Sequence, residues 1–277
     1  EIEEAVISVP AYFHDEQRVA VKRAGALAGI HVERIVNEPS AAALASYFTA
    51  NEEQNMLVFD FGGGTLDVSL VDCFDTMVEI VSVAGNNRLG GDDFDRLIAE
   101  HFLREHGVAR QQLRAQEYAV LLKQAERCKK LLSEQDEVVM HATVGDQLYE
   151  STYTMDRLFE ESKALLKEIR QVIGRALKDG KMTIHDVDLV VMAGGSSKMP
   201  LIQKYIRHLF HKAPMVQGNC DELIALGLGL VCGVKERKEE IKDYILTDIC
   251  PFSLGVATIN EADPDRAYMA NIINRNT

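Results

Sequence analysis

Asp60-Phe61-Gly62-Gly63-Gly64-Thr65-Leu66-Asp67 places three consecutive glycines between two aspartates, with the apolar runs Met56-Leu57-Val58-Phe59 before it and Val68-Ser69-Leu70-Val71 after it. Each glycine costs backbone entropy. A run of them is better explained by a main chain that must approach an anion closely and offer N–H donors than by turn chemistry alone. Both flanks read as β-strands, which makes a strand-turn-strand phosphate loop, distinct from the strand-to-helix loop of Walker-type sites, and the stretch contains no lysine. A glycine-rich hairpin without a ligand is the alternative reading of the motif taken by itself.

Upstream, Ala5-Val6-Ile7-Ser8-Val9-Pro10 reads as a buried strand and 15–29 as a helix with Val19, Ala20, Ala24, Leu27 and Ala28 on its apolar face. Arg34-Ile35-Val36 reads as a second strand, and Asn37-Glu38-Pro39-Ser40 leads into a second helix over 40–48. This is one βαβα unit, and its first strand lies so near residue 1 that a fragment is expected. The polar residues 51–55 mark a boundary before three antiparallel strands at about 56–61, 66–73 and 76–84.

Downstream, Gly90-Gly91-Asp92-Asp93 opens a helix that puts Phe94, Leu97, Ile98 and Phe102 on one face. A helix over 117–132 carries Leu121, Leu122, Ala125 and Cys128 on one side. Its other side, Lys123, Glu126, Lys129 and Lys130, reads on its own as solvated surface. Two short strands follow, then one long packing helix over 154–177. The apolar run Asp188-Leu189-Val190-Val191-Met192-Ala193 ends in Gly194-Gly195-Ser196-Ser197-Lys198-Met199-Pro200 and a helix to 210. Such a strand-loop-helix presents backbone donors and hydroxyls at a strand's carboxyl end, a second nucleotide candidate. A last helix over about 220–238 holds Gly227 and Gly229, where a backbone or ligand approaches closely. A charge-rich stretch at 235–242 precedes Tyr244-Ile245-Leu246, read as an exposed apolar tract, and strands of a different unit over 249–277.

A chain of 277 residues can bury a sizeable core and accommodates two or three structural units. The net charge of −13 argues against nonspecific nucleic-acid or anionic-membrane binding, so neither is an expected partner. Five cysteines, none in a CxxC pair, suit a reducing compartment, and a cytoplasmic location is expected. His208 and His211 stand three apart on a helix without a third ligand and read as surface, as do His101 and His106; Cys128 reads as a small buried apolar residue.

Taken in order, VPAYF at 9–13, NEPSAAA at 37–43, DFGGGTLDV at 60–68, LGGDDFD at 89–95, AGGSSKMP at 193–200 and PFSLG at 251–255 resemble the seventy-kilodalton heat-shock chaperones of the DnaK type, over nearly the whole chain. The resemblance implies an α/β, actin-like (ribonuclease-H-like) ATPase: part of lobe I over 1–50, lobe II over 55–242, an interdomain linker at 243–248 and the start of a peptide-binding β-sandwich over 249–277. It implies an ATP-dependent molecular chaperone of protein folding and stress response, with ATP/ADP and Mg²⁺ as cofactors. Its partners would be unfolded or extended polypeptide clients, a J-domain co-chaperone and a nucleotide exchange factor.

The same resemblance assigns roles. Gly62, Gly63, Gly64 and Thr65 would hold the β- and γ-phosphates, with the Thr65 hydroxyl near the attacking water. Asp60 would orient water on Mg²⁺ and Glu38 would poise that shell, in keeping with a cation that retains most of its waters. Adenosine would lie between Glu126, Lys129, Lys130 and Ser133 on one side and Gly194, Gly195, Ser196 and Lys198 on the other, with Gly91 and Asp221 nearby. Lys129 and Ser133 share a helix face at i,i+4 spacing.

Departures accompany the match. The family's first phosphate loop and catalytic lysine would lie upstream of residue 1, so this polypeptide alone is expected to hydrolyse ATP poorly. Lys130 stands where arginine is common and lacks the plane that stacks on a base. Cys220 replaces the usual proline before Asp221, and Ile249-Cys250-Pro251 is similar to the bacterial branch called HscC. A noncatalytic nucleotide- or partner-binding piece, and a small-metabolite kinase of the actin-like superfamily, stand as the other function classes.

Overall fold

Apolar alternation builds the centre of the molecule. In β3 (Gln54–Phe61), Met56 and Val58 point to one face while Leu57, Phe59 and Phe61 point to the other, and all five are buried. A strand covered on both faces reads as a continuous apolar run, which is why the sequence shows one here. The computed structural model describes all residues except 1, 51, 146, 217–219, 240, 242, 251, 261–262 and 276–277. Residues 51, 240, 242 and 251, which the boundary, charge-rich and motif readings include, therefore lie outside the described residues.

The N-terminal unit comprises β1 (Glu4–Val9), α1 (Asp15–Leu27), β2 (His31–Asn37) and α2 (Glu38–Ala50), with β1 and β2 paired in parallel. Next come β3, β4 (Leu66–Phe74) and β5 (Met77–Asn86), joined antiparallel as the sequence predicts. Then follow α3 (Gly91–Glu105), α4 (Ala115–Leu131), the hairpin of β6 (Glu137–Val144) and β7 (Gln147–Thr154), α5 (Met155–Glu161) and α6 (Lys163–Asp179). The chain continues through β8 (Leu189–Ala193), α7 (Pro200–Phe210), α8 (Leu223–Lys235) and β9 (Ile245–Thr247), and ends in an antiparallel hairpin of β10 (Leu254–Asn260) and β11 (Asp263–Ile273). The main sheet is mixed, in the order β8-β3-β4-β5-β9, with β8 parallel to β3 and β9 parallel to β5. α6 covers one face, where the Ser82 hydroxyl donates to the Ala176 carbonyl, while α2 and α8 cover the other.

Several sequence expectations give way. The helix expected over 154–177 is two helices broken at Ser162, which is fully buried with φ −89° and turns its hydroxyl back onto the Phe159 carbonyl. A hydroxyl that competes for a backbone acceptor bends a helix at that point. The helix expected over 220–238 begins only at Leu223 and ends at Lys235. On α1, Val19 and Leu27 are exposed and only Gly25 is buried, so its apolar face is not packed against the described residues.

Of Tyr244-Ile245-Leu246, Ile245 is exposed as expected, but Tyr244 and Leu246 are half-buried and the segment is not loose. Ile245 N–H donates to the Thr76 carbonyl at 2.9 Å, and residues 245–247 add a fifth strand to the sheet. The Tyr244 ring lies 6.1 Å from Tyr47 and 5.9 Å from Phe48. His101 is not bland surface either. Its Nδ1 accepts from Arg157 at 2.5 Å and its Nε2 lies 2.8 Å from Glu161, while His106 Nε2 lies 3.0 Å from the Ser151 hydroxyl.

Candidate functional site

Two glycine loops leave the sheet side by side. Asp60 and Ala193 are partners in the parallel β3–β8 pair, so the loop at 62–65 and the loop after Ala193 emerge from the same, carboxyl, end of neighbouring strands. Open α/β sheets form ligand sites at such ends. Gly194 adopts φ +80°, and a Cβ there would stand 2.6 Å from both Asp60 Oδ1 and the Phe61 carbonyl oxygen, so glycine is required for the second loop to turn against the first.

The first loop is held open by its neighbours. Gly62 N–H closes the turn onto the Thr65 carbonyl at 3.0 Å. The Gly62 and Gly63 carbonyls accept from the amides of Gly91 and Asp92, at 3.0 and 2.7 Å, where α3 begins. With those carbonyls occupied, the amides of Gly63, Gly64 and Thr65 have no acceptor among the described residues. Gly63 and Gly64 are exposed, and the space beside Gly64 is open. Adjacent outward amides on an exposed loop form an anion-binding concavity.

Behind this loop stand three carboxyl groups: Glu38 from the start of α2, Asp60 from the end of β3 and Asp67 from the start of β4. Burial, together with the charges of Asp60 and Asp67, pushes Glu38 up to about 7. Burial pushes Asp60 up to about 6; burial and the Asp60 charge push Asp67 up to about 7. Asp67 Oδ1 is buried without a hydrogen-bond partner among the described residues. Carboxyl oxygens with unfilled acceptor capacity suit a hard, hydrated cation. Among the described residues no three His, Cys, Asp or Glu side chains are grouped to ligate a metal directly.

These shifts predict a pH dependence. The folded chain holds protons up to pH 6–7 that the unfolded chain releases near pH 4, so the native state binds more protons across that window. Stability therefore falls as pH rises through it. Without divalent cations we expect a loss of several kcal/mol between pH 5 and 7.5, read from thermal midpoints. Asp67→Asn should flatten the slope, and an unaltered slope in that variant would remove these carboxyls as its cause.

Beside the loop opens a cleft of about 580 Å³. Gly63, Glu126, Lys129, Lys130, Ser133, Gly195, Ser196, Lys198 and Asp221 line it, all predicted from the sequence. Gly91 and Gly194 do not line it. A Cβ on Gly91 would stand 2.2 Å from the Ser196 hydroxyl, so its role is spacing. Glu38, Asp60, Gly62, Gly64 and Thr65 belong to the loop and the carboxyl cluster rather than to the cleft wall.

The α4 face is not uniformly solvated. Lys130 is exposed and pairs with Glu126 at 2.6 Å, but Lys129 is buried, 2.8 Å from Asp95 Oδ1, and donates to the Gly91 carbonyl at 2.8 Å. Asp92, Asp95, Glu134 and Met199 also line the cleft and were not predicted. Asp95 lies on the same α3 face as Asp92, three residues on, within the quoted LGGDDFD motif; that spacing was the available signal. Asp67 stood at the end of the opening stretch with no role attached. Cys128 is buried, and burial raises its thiol to about 11, which fits the inert role expected of it.

A family model described as Hsp70 protein matches residues 1–277. The chain is 39% identical over 268 residues to a chaperone protein dnaK3 of Thermosynechococcus vestitus, covering 93% of this chain and 39% of that protein. It is 37% identical to a stromal 70 kDa heat shock-related protein, chloroplastic, of Pisum sativum, covering all of this chain and 39% of that protein. It is 38% identical to a chaperone protein dnaK of Cyanophora paradoxa, covering all of this chain and 45% of that protein. The chain thus spans about two fifths of the length of the curated relatives it matches.

Proposed function

The chain belongs to the Hsp70 family, and from that membership together with the geometry at 62–65 we propose that it binds ATP and ADP with Mg²⁺ across the loop and the adjoining cleft. The observation that carries this reading is the set of outward amides at Gly63, Gly64 and Thr65 beside three proton-retaining carboxyl groups. The amides would hold the terminal phosphates, and the Thr65 hydroxyl, folded back over Gly62, would stand beside them. Asp60 and Glu38 would hold Mg²⁺ through water, with Asp67 as a third acceptor. Bound Mg²⁺ supplies positive charge that offsets the phosphate oxygens. Glu126, Lys129, Lys130 and Ser133 would face Gly195, Ser196, Lys198 and Asp221 across the nucleoside, while Gly91 and Gly194 keep the walls close.

In the whole protein the activity would be ATP hydrolysis coupled to binding of unfolded polypeptide, served by a J-domain co-chaperone and an exchange factor. Residues 1–50 would form part of lobe I, 55–242 form lobe II, 243–248 act as linker, and 249–277 begin the peptide-binding sandwich. Strand β9 supports the linker reading, because a segment paired to a sheet edge by three residues can be added or released at modest cost. Placement in the HscC branch rests only on Ile249-Cys250-Pro251. The free thiols of Cys73, Cys128, Cys220, Cys232 and Cys250 support a reducing, cytoplasmic location.

Titration calorimetry of the folded chain with ADP and Mg²⁺ tests the nucleotide reading. A saturable heat that requires Mg²⁺ for full strength is the expected result, and no heat with either ADP or ATP would overturn it.

A further inference from the structure

Every lysine in the cleft is ion-paired, but the pairs differ in kind. Lys130 with Glu126, and Lys198 with Asp221, are exposed pairs, with side chains 45–70% accessible. Such pairs are screened by solvent and reorient easily. Lys129 and Asp95 are 9% and 10% accessible and 2.8 Å apart. A buried pair is fixed, because parting it leaves an uncompensated charge away from water.

The charge count follows the same division. Five carboxyl groups line the cleft (Asp92, Asp95, Glu126, Glu134 and Asp221) against three ammonium groups (Lys129, Lys130 and Lys198). The loop at 62–65 is the anion-seeking end of the site; the cleft, despite its lysines, is not. Lys129 Nζ donates one hydrogen bond to the Gly91 carbonyl, and its charge is balanced by Asp95 Oδ1 at 2.8 Å. An ammonium carries three donors, so Lys129 retains donor capacity for a neutral acceptor in the cleft while its charge is already balanced.

We propose that Asp95, by neutralising Lys129, makes the cleft selective for a nucleotide whose ribose hydroxyls are free and against one whose ribose carries a phosphate. This rests on the nucleotide reading above. A ribose hydroxyl can accept a hydrogen bond from Lys129 at no electrostatic cost. A ribose phosphate would bring two negative charges beside Asp95 and Glu126, with no unpaired buried cation among the described cleft residues to meet them. Asp95 is a positioning residue: it acts on the ligand through Lys129.

The test compares affinities for ADP and for adenosine 3′-phosphate 5′-diphosphate by calorimetry, in the unsubstituted chain, Asp95→Asn, Asp95→Glu and Lys129→Gln. The unsubstituted chain is expected to prefer ADP. Asp95→Asn should narrow that preference about tenfold by unmasking the ammonium, and Asp95→Glu should restore most of it. Lys129→Gln, which leaves Asp95 unopposed, should widen the preference. A purely structural role for Asp95 would weaken both ligands alike and leave the ratio unmoved. An unmoved ratio in Asp95→Asn, or a narrowed one in Lys129→Gln, would overturn the proposal while leaving nucleotide binding intact. Failure of the unsubstituted chain to bind ADP would overturn the nucleotide reading and this one with it.

Discussion

Gly64→Val is expected to leave the thermal unfolding midpoint unchanged and to weaken ADP binding at least about a hundredfold. Among the described residues, its chain neighbours aside, no atom lies within 4 Å of a Cβ built at Gly64, and its backbone is not in the left-handed region, so the folded chain accepts a side chain there without strain. The same open space is where an anion must approach the amides of Gly63, Gly64 and Thr65, and a β-branched side chain fills it. Two charge-assisted hydrogen bonds, each worth about 1.5 kcal/mol or more, account for the magnitude. Melting and calorimetry on one preparation check both halves. A variant that melts normally and binds ADP with undiminished affinity would show that the loop does not carry the phosphates. Gly90 would not serve for this comparison, because a Cβ there would stand 2.2 Å from the Gly63 carbonyl oxygen and disturb the fold itself.

That contrast also explains how much of the site was legible in the sequence. The loop could be read because glycine at 62–64 between strand patterns has few physical uses, and the β3–β4–β5 meander because alternation and apolar runs report burial directly. The second loop was legible for the same reason. The burial of Lys129 was not: its spacing on α4 is that of its exposed neighbour Lys130, and only the approach of α3, which brings Asp95, separates them. Asp67 was hidden because a carboxylate at a strand start is common; Asp60 is its cross-strand partner in the β3–β4 hairpin, but Glu38 comes from α2 and joins them only in the tertiary fold. The break at Ser162 was masked by unbroken apolar periodicity on either side, since nothing local marks a serine whose hydroxyl turns inward. Strand β9 escaped because three residues carry too little pattern to show a period, and its partner edge lies more than 160 residues away in sequence.

Gly227→Val is expected to destabilise the chain by about 3 kcal/mol or more, lowering the thermal midpoint by roughly 6–12 °C. The tract Gly227-Leu228-Gly229-Leu230 suggested a close approach without saying which glycine made it. It is Gly227: a Cβ there would lie 1.9 Å from the Ala41 carbonyl oxygen and 2.4 Å from its carbonyl carbon. Both atoms are backbone of α2, and no rotamer change can move them aside. Relief requires α8 to separate from α2, opening the packing beneath the fully buried Ala41, Ala42 and Ala43. Gly229, exposed one turn-fraction away with nothing within 4 Å, provides the control, and Gly229→Ala should stabilise by about 0.5–1 kcal/mol through helix propensity. Denaturant titration of both variants checks the opposed signs, and equal effects at the two positions would contradict the packing assigned here. The damage should also reach the ligand. Glu38 is the first residue of α2, so a displaced helix withdraws it from Asp60 and Asp67, and Mg²⁺-dependent ADP affinity should fall in Gly227→Val even at temperatures where the chain remains folded.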